Sequence, residues 1–93
     1  MQIEEILQEI IRICKNNSVT KVILFGSRAK GTALERSDID IAVCGTKDIE
    51  KLREELENIP TLYTIDVVDM DECRNELLLE DIKQYGRKSY EKV

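Results

Sequence analysis

The chain has 93 residues and a formal net charge of −5, so it is short enough for one domain and too acidic for nonspecific binding to a phosphate backbone. It contains no histidine, which excludes Ser-His-Asp and Cys-His catalysis and leaves oxygen ligands, as magnesium and manganese prefer, for any bound metal. The first segment is an amphipathic, glutamate-bearing helix rather than a signal peptide and no apolar run reaches about 20 residues, so we expect a cytoplasmic protein without a membrane span.

The first half of the chain is predicted to form a helix, a strand, a short second helix and a second strand. Apolar residues at helical spacing predict an amphipathic helix from Ile3 to Cys14. The β-branched run Val19–Phe25 predicts a strand that Gly26 ends. We expect a short helix from about Ser27 and then a loop, after which alternating apolar and polar residues predict a half-buried strand over 38–43.

The second half continues the alternation of helices and strands. A helical stripe begins near Asp48 and stops before Pro60, and a third strand follows over Leu62–Val68. Asp69–Asp71 could cap a final helix, which Gly86 ends. The order α-β-α-β-α-β-α predicts an α/β fold, with one three-stranded mixed sheet and helices packed against it.

The three cysteines, Cys14, Cys44 and Cys73, lie far apart in apolar segments. No CxxC or Cys/His cluster is present, which argues against a structural zinc site. We therefore expect buried, reduced thiols.

The dipeptide Gly26–Ser27 stands where the first strand is expected to end. If a helix begins at Ser27, its unpaired backbone N–H groups favour an anion, and the glycine lets a phosphate approach the backbone closely. The alternative is an ordinary turn in which Ser27 is a helix N-cap.

Two aspartates, Asp38 and Asp40, occupy alternate positions of the second strand and would lie roughly 7 Å apart on one face. Their charges repel unless a divalent cation neutralises them, although a solvated strand face would also explain them. Asp66 interrupts the third apolar strand and joins them if the two strands are neighbours. Asp69 and Asp71 compete for this role, but their position at the strand exit is more typical of helix caps.

The joint pattern is more specific than its parts. The stretch GSRAKGTALERSDIDIAV contains G-S-x10-D-x-D, and a carboxylate follows in IDVVD. It closely resembles the nucleotidyltransferase superfamily of the DNA polymerase β type. The similarity is greatest to the minimal nucleotidyltransferases (MNT), in which GSRAxGxAxxxSDIDLAV is typical, and it extends to the closing YGRKSYE. The resemblance implies a single minimal nucleotidyltransferase domain over residues 1–93, ending about where the catalytic core ends.

Members of this superfamily transfer a nucleoside monophosphate from a nucleoside triphosphate to a hydroxyl, and pyrophosphate leaves. By resemblance, Gly26 and Ser27 would hold the triphosphate. Asp38 and Asp40 would bind Mg²⁺ (or Mn²⁺), and Asp66 would be the third metal-binding and catalytic carboxylate, which helps to activate the attacking hydroxyl.

Arg28 and Lys30 follow the serine directly. They could contribute to nucleotide binding by reaching the triphosphate, or they could be solvated helix residues.

The resemblance also suggests a partner. Minimal members are commonly encoded beside a HEPN-domain toxin and form a toxin–antitoxin pair with it. The implied activity is transfer of AMP from ATP to a protein hydroxyl, a tyrosine of the toxin. The alternatives are a non-catalytic antitoxin that neutralises its partner by binding, and a nucleotide-binding subunit of a larger assembly. A second copy of the chain could also complete the acceptor surface, and no direct binding to nucleic acid or a membrane is expected.

Overall fold

Helices and strands alternate along the chain in this computed structural model, which describes residues 2–26, 28, 31 and 38–92. In chain order they are α1 (Ile3–Asn16), β1 (Lys21–Phe25), β2 (Ile39–Cys44), α2 (Ile49–Glu57), β3 (Ile65–Asp69), α3 (Glu76–Tyr85) and β4 (Arg87–Glu91). The short helix expected from Ser27 falls almost entirely outside the described residues. None of the helices in the described ranges is both long and apolar enough to cross a membrane.

The strands form one mixed sheet in the order β3-β2-β1-β4. β1 is antiparallel to both β2 and β4, whereas β2 and β3 are parallel. The prediction of a mixed α/β sheet is confirmed, but the predicted count of three strands is wrong. The fourth strand, RKSYE, carries mostly charged or polar residues. It is held by pairing with β1 and by the Lys92 N–H, which donates to the Thr20 carbonyl at 2.7 Å.

The sheet buries its two faces against different helices. On one face, Ile39, Ile41 and Val43 of β2 join a core cluster with residues of α1 and α2; its other buried members are Ile6, Ile10, Ile13, Cys14, Val19, Val22, Leu52, Leu56 and Ile59. On the other face, Ala42 packs with Ile82 of α3 in a smaller cluster. Because side chains alternate along a strand, Asp40 lies on the same face as Ala42.

The helix ends depend on local capping groups. The helix α2 begins where the sequence predicted, and the Asp48 carboxylate caps it by accepting the N–H of the third helical residue at 3.1 Å. At α3 the cap is Asn75, whose side chain accepts the Leu78 N–H at 3.1 Å, so the prediction that Asp69–Asp71 cap this helix is wrong. Gly86 ends α3, as predicted, and its N–H donates to a carbonyl of the last turn.

All three cysteines are free thiols. Cys14 is buried in the core, and burial raises its pKa to about 12. The expectation of buried thiols is therefore confirmed for Cys14, whereas Cys44 at the end of β2 and Cys73 between β3 and α3 are only half-buried.

Candidate active site

Two of the expected carboxylates lie side by side on the sheet. Asp40 of β2 pairs in register with Asp66 of β3, so the two side chains are on the same face of the sheet. On its other side Asp40 pairs with Phe25 of β1. Asp40 thus has an aromatic neighbour on one flank and a like charge on the other.

The surroundings of Asp40 raise its pKa. The largest cause is its partial burial, followed by repulsion from Asp66 and from Asp38, and then a hydrogen bond with Asp66. Each of these effects disfavours the charged form of the carboxyl group. A cation bound between the carboxylates would oppose the repulsion, so this part of the sheet is suited to bind one.

Gly26 brings the main chain up against this pair. It has a φ of +74°, and a Cβ built on it would overlap Asp40 Oδ2 and stand 3.3 Å from Asp40 Cγ. The position therefore requires glycine both for its left-handed conformation and for the close approach to the carboxylate. Ser27 and Lys30, the neighbouring candidates for nucleotide binding, lie outside the described residues.

Asp38 lies one residue before β2 and is exposed. It is close enough for its charge to raise the pKa of Asp40. Nevertheless, in the part of the chain that the structure describes, no three His, Cys, Asp or Glu side chains are grouped so that they could hold a metal ion. The carboxylate oxygens of Asp40 and Asp66 suit a hard cation such as Mg²⁺. Of the three expected metal ligands, the structure therefore places Asp40 and Asp66 side by side on neighbouring strands.

Asp69 and Asp71 lie at the opposite end of β3 from Asp66. Asp69 pairs with Val43 near the end of β2, and its Oδ1 accepts the Asp71 N–H at 3.0 Å. Asp71 Oδ2 in turn accepts the Gly45 N–H at 2.8 Å. Both carboxylates hold the turns that follow β2 and β3, and neither competes with Asp66 for the site.

Arg28 has a partner that the sequence did not predict. Its guanidinium carbon lies 4.9 Å from the centre of the Tyr63 ring, in cation–π geometry, and the arginine is half-buried. Tyr63 is one of only four aromatic residues in the chain and stands three residues before Asp66. The small number of aromatic residues was the only feature of the sequence that drew attention to Tyr63. The spacing along the chain could not connect it with Arg28.

Comparison with protein families decides the classification of this chain. A family model described as "Polymerase beta, Nucleotidyltransferase" matches residues 8–92. The chain belongs to the polymerase β nucleotidyltransferase family. The resemblance noted in the sequence is thereby confirmed for nearly the whole chain.

A curated relative supports the same family. This nucleotidyltransferase is 32% identical over 87 residues to a protein of Methanocaldococcus jannaschii named "Putative protein adenylyltransferase MJ1305". The match covers 90% of this chain but 49% of the relative. The chain therefore spans about half the length of the curated relative it matches.

Solved structures of toxin–antitoxin systems share the fold. A toxin–antitoxin crystallised with AMP-PNP is 27% identical, with a TM-score of 0.66 over 88% of this nucleotidyltransferase and 70% of that chain. A variant of the toxin–antitoxin MntA–HpeT is also 27% identical, with a TM-score of 0.68 over 97% and 74% of the two chains.

Proposed function

We propose that this nucleotidyltransferase transfers AMP from ATP to a hydroxyl group of a partner protein and thereby acts as an antitoxin. The observation that carries the proposal is the Asp40–Asp66 pair on neighbouring parallel strands, with the Gly26 backbone against Asp40. The curated relative named as an adenylyltransferase and the neighbour crystallised with AMP-PNP support the choice of nucleotide.

The main chain and the basic residues after β1 would bind the triphosphate. Gly26 has no side chain, so the Asp40 carboxylate lies directly against its backbone, and in this proposal the triphosphate binds next to that carboxylate. In this proposal the Ser27 hydroxyl donates a hydrogen bond to the triphosphate, and Arg28 and Lys30 offset its negative charge.

The carboxylates would hold Mg²⁺ (or Mn²⁺), with Asp38 as the third ligand beside Asp40 and Asp66. When bound, a divalent ion neutralises phosphate charge and favours in-line displacement at phosphorus. Asp66 is exposed on the edge strand, so it can accept the proton of an incoming hydroxyl as a general base. The hydroxyl oxygen bonds to the α-phosphorus as the bond to the β-phosphate oxygen breaks, and pyrophosphate leaves.

We further propose a tyrosine of a HEPN-type toxin as the acceptor. Support comes from the toxin–antitoxin neighbours, which match over most of this chain. Tyrosine is a suitable acceptor because its phenolic oxygen has a pKa of about 10 and loses its proton more readily than a serine hydroxyl.

The test uses the purified protein, Mg²⁺ and ATP labelled at the α-phosphate, incubated with lysate of its source. A labelled protein band is expected with the wild type and is lost in Asp40→Asn. Glu54→Gln is the matched control, since it removes one negative charge from an exposed position of α2 and should leave labelling unchanged. No label with the wild type, or equal labelling in Asp40→Asn, contradicts the proposal.

A second candidate function is a nucleotide-binding antitoxin that neutralises its partner by contact without chemistry. It is favoured by the absence, among residues 2–26, 28, 31 and 38–92, of a three-ligand group ready to hold a metal ion. Under this reading, Asp40→Asn still co-purifies with the partner and still suppresses its toxicity in cells. Under the adenylyltransferase reading the variant binds the partner but no longer suppresses toxicity.

A further inference from the structure

The strand β3 forms one edge of the sheet, next to the candidate active site. Among the residues that the structure describes, it pairs with β2 on one side only. At the start of this pairing the Ile39 N–H donates to the Thr64 carbonyl at 2.9 Å. At its end the Met70 N–H donates to the Val43 carbonyl, also at 2.9 Å. These two bonds fix which residues of β3 direct their backbone groups towards β2, because such residues alternate along a strand.

The alternation leaves the backbone of Ile65 and Val67 directed away from β2. The N–H and C=O groups that face β2 between the two bonds are those of Asp66 and Val68. The outward direction is visible at Val67, whose carbonyl accepts Arg53 Nη2 of α2 at 3.4 Å. This bond is long, and a carbonyl oxygen has two lone pairs, so the Val67 carbonyl can accept a second, better hydrogen bond. An outward row of this kind is a template for the addition of an extended segment.

The space beside this edge is open between α2 and α3. At the end of β3 a hollow of about 400 Å³ lies between Arg53 of α2 and Leu78 of α3. At the beginning of β3 a second hollow, of about 230 Å³, lies against Leu56 and Ile59. An extended segment therefore has room along the length of the strand.

The same edge leads to the carboxylates. Asp66 is exposed and lies in one row with Asp40. In an added antiparallel strand, the residues opposite Ile65 and Val67 would exchange hydrogen bonds with the edge. The residue between them, opposite Asp66, would form a non-hydrogen-bonded pair with a Cα–Cα distance of about 4.5 Å. Its side chain would lie on the face of the two carboxylates, beside the proposed general base.

The charge along the edge indicates the chemistry of the segment. In the described part of the chain, the residues lining the two hollows include one arginine and four carboxylates. The carboxylates are Glu57, Asp66, Asp69 and Glu72. A segment with lysine or arginine on both sides of its central residue complements this charge.

We propose that the outer edge of β3 binds an extended, basic segment of the partner protein as an added antiparallel strand, with its hydroxyl-bearing residue opposite Asp66. This inference rests on the proposed function and specifies how the acceptor is presented. The acceptor hydroxyl loses its proton to Asp66 as its oxygen bonds to the α-phosphorus and pyrophosphate leaves.

The test uses the full chain and the peptide acetyl-Lys-Lys-Val-Tyr-Val-Lys-Lys-amide as the probe, with amide hydrogen exchange followed by NMR. In the free protein, the Ile65 and Val67 amides should exchange faster than those of Asp66 and Val68, which bond to β2. At 1 mM, the peptide should slow exchange at Ile65 and Val67 and leave Asp66 and Val68 nearly unchanged. No protection, or equal protection of all four amides, would overturn the proposal.

Methylation of the peptide backbone provides matched controls. The two valine N–H groups face the edge in the proposed register, so methylating both should weaken binding roughly tenfold or more. The tyrosine N–H faces away, so methylating it alone should stay within about twofold of the parent peptide. The reverse pattern would overturn the register, and equal effects would overturn strand addition. Replacing the four lysines with glutamate should also weaken binding at least tenfold, and equal binding would refute the basic character assigned to the segment.

A transfer assay with ATP labelled at the α-phosphate separates this inference from the proposed function. The tyrosine peptide should become labelled, and the same peptide with phenylalanine should bind equally and stay unlabelled. Alternating protection without transfer contradicts the proposed enzymatic function and leaves the docking edge in place. Transfer to the peptide without that protection supports the enzyme and overturns the docking edge.

Discussion

Replacing Asp40 with asparagine should stabilise the metal-free protein at neutral pH. Neighbouring strands are about 4.8 Å apart, so the charge centres of the paired Asp40 and Asp66 carboxylates lie roughly 5 Å apart. Two unit charges at that distance repel by about 0.8 kcal/mol in water, and Asp38 at roughly 7 Å adds about 0.6 kcal/mol. Allowing for screening, we expect a gain of about 1 kcal/mol in 10 mM salt and about half of that in 150 mM salt.

The gain should also depend on pH in a defined direction. Folding raises the pKa of Asp40 above its ordinary value of 3.8, so the folded state binds this proton more tightly than the unfolded state does. The wild type therefore loses stability as the pH rises through the raised pKa. The advantage of Asp40→Asn should be full at pH 7 and should disappear as the pH falls towards 3.8.

Urea unfolding of both proteins in 10 mM EDTA, at pH 7 and pH 3.5 and at two salt concentrations, measures these differences. Asp66→Asn should give a similar gain, and the double variant should gain less than the sum, because the repulsion can be relieved only once. Glu54→Gln, which changes the net charge equally from an exposed helix position, should have little effect. A clearly destabilised Asp40→Asn, or a gain equal to that of Glu54→Gln, would refute the clustered-carboxylate geometry.

Three further measurements test the site and the core. Gly26→Ala should lose at least 1 kcal/mol more stability than Gly31→Ala, because both glycines have a φ near +75° but only Gly26 lies against Asp40; urea unfolding checks this. Addition of 10 mM Mg²⁺ should raise the Tm of the wild type and not that of Asp40→Asn, and an equal rise would place the ion elsewhere. In native protein at pH 8, iodoacetamide should modify the half-buried Cys73 first and leave the buried Cys14 unmodified until unfolding, as peptide mass mapping would show.

The part of the site on β2 could be predicted because strand geometry leaves little freedom. Once Ile39 and Ile41 are assigned to the core, Asp38 and Asp40 must face the other way. Placing Asp66 beside them required only that β3 neighbour β2, which the sheet order confirms.

Other features depend on long-range contacts that a local pattern does not encode. β4 has the sequence RKSYE, whose charge does not indicate a strand, and it exists because β1 offers an edge to pair with. The Arg28–Tyr63 contact joins residues 35 positions apart, so only the folded chain brings them together. The role given to Asp69–Asp71 was wrong because both carboxylates accept hydrogen bonds from turn N–H groups before α3 begins.

The pairing of β2 with β3 aligns the carboxylates of the site and the apolar residues of the smaller core cluster at the same time. In the parallel pair of β2 and β3, the row that follows Asp40 and Asp66 is Ala42 and Val68, and these two pack in the cluster beneath Ile82. A slip of one residue in either strand would move a carboxylate into the core and an apolar residue to the surface. Burial of Ala42 and Val68 therefore holds the two carboxylates together against the repulsion between them, and a substitution that loosens this cluster should separate the pair before it unfolds the sheet.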